Sequence, residues 1–184
     1  SDDSNLGNVS LEFPDVQVFR ITQDYNFADR ATVDEIMEDI RQNPGTSIHG
    51  SLPCIPWTAW TFMNEHRYGD KFRRRNHIRR QKSLKMVKAF FEIAELVVSL
   101  GGEVSFEWPR YCQGWKTKEL MSAIHRLGLY SASVDGCACG VVNQDGEPIL
   151  KPWRFVTTSE RLALSLDSLR CKHPKGFKHA ECSG

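Results

Sequence analysis

Two short apolar runs in this 184-residue chain end on groups that can do chemistry. SIHGSL runs into Pro53-Cys54, and VSFE closes on Glu107 ahead of Trp108-Pro109. A thiolate beside a carboxylic acid can add to an electrophilic ring while the acid protonates or orients that ring. A cysteine placed where a strand breaks into a loop, rather than inside a periodic apolar face, sits where reacting groups are usually carried. A second constellation lies near the carboxyl end. CKHPKGFKHAEC offers Cys171, His173, His179 and Cys182 within twelve residues, and DGCAC adds Cys137. Thiolates and imidazoles in so short a tract are the donors of a closed tetrahedral Zn2+ site. The expected ligands are Cys137, Cys171, His173 and His179, with Cys182 in place of Cys137 as the alternative. Four protein ligands leave no open position, so the metal is expected to be structural and to clip the tail onto the body. A third feature is electrostatic. From Lys71 to Lys88 there are nine Lys or Arg and no acid, although the whole chain carries only +1. Lys71, Arg73, Arg74, Arg75, Arg79 and Arg80 form its densest part, a candidate phosphate-binding face.

The elements that would position these groups follow from periodicity. VQVFRI (16–21) has the content of a buried strand. Val33, Ile36, Met37 and Ile40 recur at helical spacing over 32–42, ended by Asn43-Pro44-Gly45. A short strand, SIHGSLPC, comes next. Leu84, Val87, Phe90, Phe91, Ala94, Val97 and Val98 mark a helix over 83–100, stopped by Gly101-Gly102. EVSFEW is a strand, 117–127 a helix and YSASVDGC a strand. CGVVN and EPILKPWRFVTT flank the Asp145-Gly146 turn of a hairpin. Alternation of strands and helices predicts an α/β layer with a mostly parallel, Rossmann-like sheet and flanking helices. Its loops at the carboxyl edge would then bring Pro53-Cys54, Glu107-Trp108-Pro109 and Asp135-Gly136-Cys137 together.

Several of these stretches resemble known families. IHGSLPC is similar to the strand and Pro-Cys loop of DNA cytosine-5 methyltransferases, whose cysteine attacks the base. VSFEWP resembles their next strand, which ends in the glutamate that contacts cytosine, and KPWRF resembles the stretch carrying their substrate-positioning arginine. SDDSNLG looks like the loop that wraps S-adenosylmethionine in class I methyltransferases. A closer resemblance is to a domain of copia-type retrotransposon polyproteins, through GSLPC, FEWPR, DGC and KPWR, and it covers nearly the whole chain. The resemblance implies a class I methyltransferase-type fold whose first strand precedes this chain. It implies catalytic Cys54, Glu107 and Arg154, with Ser4, Asn5 and Leu6 at S-adenosylmethionine. It also implies nucleic acid and other segments of a larger polyprotein as partners. The chain departs from the cytosine-5 family at Ile55 (a glutamine there), at Trp108-Pro109 (Asn-Val), and at Arg20, where an acid usually holds the cofactor ribose.

Size and composition fit one domain over 1–184, with 165–184 as its Cys/His-rich tail. No run approaches the roughly 18 apolar residues that span a bilayer, and SDDSNLG is not a secretory leader. No membrane partner is expected, and the expected location is intracellular, in cytoplasm or nucleus. A cytidine deaminase is excluded, since Pro53-Cys54 continues as Ile55-Pro56-Trp57 and not as Pro-Cys-x-x-Cys. Trp57 or Trp108 beside the reacting residues could stack on a base.

Overall fold

A computed structural model describes residues 12, 13, 15–22 and 26–182. Ser4, Asn5 and Leu6 lie outside the described residues. The regular elements are α1 (Arg30–Gln42), β1 (Ile48–Gly50), α2 (Ala59–Ser99), β2 (Val104–Pro109), α3 (Lys118–Arg126), β3 (Tyr130–Asp135), β4 (Pro152–Thr157) and α4 (Glu160–Asp167).

Helix α1 buries Val33, Met37 and Ile40, one stripe at spacings of four and three, against the body of the protein. Helix α2 is far longer than its apolar stripe predicts. Thr58 caps its start through the Thr61 amide, and Gly69 breaks it at φ 68° and ψ −154°, a conformation open to glycine. The short limb before Gly69 folds back on the long one. Arg80 ties the two together by an ion pair to Glu65 at 2.8 Å and by lying over the Phe62 ring at 4.3 Å. Gly101, at φ 82°, ends the long limb, and the Gly102 amide returns to the Val97 carbonyl. Phe90 and Phe91 of α2 meet Phe106 of β2 with ring centroids 5.4 and 5.6 Å apart, and Trp108 and Trp115 extend that aromatic core.

The sheet is mixed, in the order β1-β2-β4-β3. β1 and β2 are parallel, while β4 lies antiparallel to both β2 and β3. Thus β1, β2 and β3 run the same way, joined by α2 and α3, and only β4 returns. The expected mostly parallel sheet is corrected here. The segment between β3 and β4 carries only a 3-10 turn at Gly136–Cys139, a Val142–Pro148 antiparallel bridge and a turn at Gly146, with no α-helix to make a parallel crossover. A strand signal read from sequence carries no direction. VQVFRI joins no sheet among the described residues either. Val16, Val18, Phe19 and Ile21 are exposed, so its apolar content lacks the neighbouring strand that would bury it. No helix among the described residues is long and apolar enough to cross a membrane.

Candidate functional site

Cys54 follows β1 and Glu107 lies on the neighbouring parallel strand, in register just beyond the Gly50–Phe106 pair. The Ser51 hydroxyl donates to Glu107 Oε1, while Glu107 Oε2 is buried with no hydrogen-bond partner. Burial raises the Glu107 pKa, against the Ser51 hydrogen bond and the Lys151 ammonium. Burial also raises the Cys54 pKa, and the neighbouring Glu107 carboxylate adds to that effect while Lys151 opposes it. The two groups therefore share one electrostatic neighbourhood at the carboxyl edge, as their strand positions predict. Burial disfavours charge on both groups, so Cys54 needs a proton acceptor before it can attack.

Lys151 is the residue that sequence reasoning missed. It sits at φ 28°, the one described non-glycine with positive φ, and its ammonium lies 5.1 Å from the Trp153 ring centroid. A strained backbone beside a candidate site signals that the surroundings hold the residue in place. The KPWR stretch contains it, but nothing in the sequence marks its backbone conformation.

Arg154 is not part of this group. Cross-strand register pairs it with Trp108 and pairs Glu107 with Phe155, so Arg154 and Glu107 project from opposite faces of the sheet. Arg154 stacks over Trp115 at 4.7 Å and donates to Ser131 Oγ at 3.0 Å. An alternation of period two placed it there, and a motif match does not reveal that period. The expected stacking platforms also fall away. Trp57 and Trp108 are both buried, with Nε1 bonded to Ser83 Oγ and to the Leu52 carbonyl.

The Cys/His set converges as its spacing predicts. Cys137 follows β3, and Cys171, His173 and His179 come from the tail. Their donor atoms all lie within 4.8 Å of one another, so the cluster could hold a metal ion. Cys171 Sγ is 3.3 Å from His173 Nδ1 and 3.4 Å from His179 Nε2. A tetrahedral zinc centre has sulfur–nitrogen edges of about 3.5 Å, so the donor set is compatible with zinc. Cys182 is exposed and outside the cluster. Asp135 braces the site from behind. Its carboxylate accepts from the Cys171 amide at 2.9 Å and from Arg110 at 2.7 Å, joining tail, β3 and the loop after β2. The Phe177 ring stacks on His173 with centroids 4.1 Å apart, fixing the imidazole plane.

The basic run is helical throughout, on the long limb of α2. Lys71, Arg74, Arg75, Arg79, Lys82 and Lys85 are exposed and pair with no carboxylate among the described residues. Arg73 reaches Asp70 at 3.3 Å, and Arg80 is held by Glu65 and the Pro56 carbonyl inside the helical fold-back. Arg80 is therefore a structural cation and is removed from the expected phosphate-binding set.

No family model matches the chain, and no curated protein or solved structure matches it either.

Proposed function

We propose that the protein is a nucleic-acid-binding module, a methyltransferase-like α/β scaffold within a retroelement polyprotein, with zinc at the tail. The observation that carries this reading is the unpaired basic stripe of α2. Lys71, Arg74, Arg75, Lys82 and Lys85 recur at helical spacing, on the side away from buried Asn76, Ser83 and Val87. From 71 to 85 the stripe runs about 21 Å, long enough to follow several successive phosphates. Zinc at Cys137, Cys171, His173 and His179 supplies folding free energy and holds the tail against β3. The test is fluorescence anisotropy with labelled single-stranded and duplex oligonucleotides. Micromolar or tighter binding that is lost in the triple variant Lys71→Gln, Arg74→Gln, Arg75→Gln supports the reading. Binding that the triple variant retains in full overturns it.

A second reading, cytosine-5-type methyl transfer from S-adenosylmethionine, is favoured by the Cys54–Glu107 pair. The thiol sulfur would bond to a ring carbon of a pyrimidine and release its proton to the Glu107 carboxylate. A carboxyl proton would pass to the ring nitrogen. Lys151 would hold negative charge that develops at the ring. The residues present do not fit the cofactor well. Ser4, Asn5 and Leu6, expected to line it, lie outside the described residues, and Arg20 stands where the resemblance calls for an acid at the ribose. Cys54→Ser should abolish methyl transfer to DNA, and unchanged labelling by that variant would end the enzymatic reading.

A further inference from the structure

On the face of the sheet opposite Glu107 there is an open groove of about 780 Å³ between the loop after β2, α3 and β4. Arg110, Tyr111, Trp115, Lys116, His125 and Arg154 contribute to its lining, and none of the described residues lining it is acidic. Charge of one sign along a wall attracts counter-ions of the other. Two features separate this groove from an ordinary basic patch. Arg154 is half-buried, yet among the described residues its guanidinium has one hydrogen bond, to the Ser131 hydroxyl, and no carboxylate partner. Partly buried guanidinium groups are normally matched by an anion, because an unmatched charge loses hydration without recompense. Burial accordingly lowers the Arg154 pKa. The second feature is Arg110. Its Nη2 is spent on Asp135 and the Val134 carbonyl, while its Nε is buried without a hydrogen-bond partner. A buried donor left unmade is costly, and a ligand oxygen is one way to satisfy it.

The aromatic lining narrows the anion. Trp115 is covered by the Arg154 guanidinium, whereas Tyr111 is 72 % exposed at the rim and has no ring partner among the described residues. The geometry points to a nucleotide-binding groove, with the phosphate at Arg154 and Lys116 and the base against Tyr111. Arg154 so acquires a role in a second site, independent of the Cys54–Glu107 edge and of the basic stripe on α2. A planar guanidinium with its fork of donors suits the oxygens of a phosphate monoester.

Titration calorimetry with adenosine monophosphate, inorganic phosphate and a 5′-phosphorylated oligothymidine tests this. Adenosine monophosphate should bind the wild type at least about tenfold more tightly than inorganic phosphate, reflecting the stacked base. Arg154→Gln should weaken it by about tenfold or more, as loss of a charge-assisted pair does. Because Arg154 packs on Trp115, the exposed variants Lys116→Gln and Tyr111→Ala serve as controls for folding, and each should weaken binding several-fold. Tighter binding of the oligothymidine than of the mononucleotide identifies a strand end as the source of the ligand. Equal binding identifies a free nucleotide. Lys71→Gln, Arg74→Gln, Arg75→Gln should leave mononucleotide binding unchanged. Absence of mononucleotide binding to the wild type, or equal binding by all three groove variants, overturns the proposal.

Discussion

Cys171 is the residue on which the Cys/His cluster turns, since its sulfur faces both imidazoles and its amide is held by Asp135. Cys171→Ser should reduce bound zinc from one per chain to almost none by elemental analysis, whereas Cys182→Ser should leave it unchanged. Loss in both would place Cys182 among the ligands. The Cys/His cluster was legible in sequence because thiol and imidazole in a short tract have few other uses. Its brace was not. Asp135 and Arg110 look like any other charged residues until the fold brings them together. Glu107 carries a pH prediction. Its folded pKa is raised by burial, so the fold retains that proton where the unfolded chain has lost it. Stability therefore falls as pH rises from the ordinary carboxylate range through the folded value. Glu107→Gln should raise the urea midpoint at about pH 8 and much less at about pH 4, where both chains are protonated. An equal gain at the two pH values would mean that burial of the charge is not the cause. Cys54, also raised by burial and by Glu107, should react slowly with iodoacetamide at neutral pH, with a rate midpoint above the usual thiol value of about 8.5.

At the scale of elements, most helices and strands were legible and their ends less so. The stripe from Leu84 to Val98 located the buried part of α2. The basic segment before it has no apolar stripe, because most of its side chains face solvent, so its helicity could not be read from hydrophobic spacing. Gly69 then permits the fold-back that buries Arg80. Gly50 shows how closely β1 sits beneath α2. A Cβ there would stand 2.6 Å from Phe90 and 2.9 Å from Phe106. Gly50→Ala should therefore cost about 1–3 kcal/mol in chemical denaturation, as overpacking of a core does. A neutral result would show that α2 and β1 can separate without penalty.

Across the whole molecule, the alternation of strands and helices anticipated which loops share the carboxyl edge, because β1, β2 and β3 do run in one direction. It did not anticipate β4. A return strand driven between β2 and β3 sends Trp153 and Arg154 to opposite faces, and a motif read as one unit hid that division. The tail is held beside the end of β3 by the Cys/His cluster and to the segment before β4 by a parallel bridge from Ile149 to Ala180. Chelation by a strong zinc ligand should accordingly lower the melting temperature, by several degrees for a loss of about 2 kcal/mol in a chain of this size. A protein that neutralises phosphates with a row of cations releases counter-ions, and its affinity falls with salt at about 0.9 log units per log unit for each contact to duplex DNA. The most direct measurement is the salt dependence of oligonucleotide binding, compared between wild type and single Lys71→Gln, Arg75→Gln and Lys82→Gln variants. A steep linear slope that loses about one unit per variant is the predicted result. A slope near zero, or one that these substitutions leave unchanged, would contradict it.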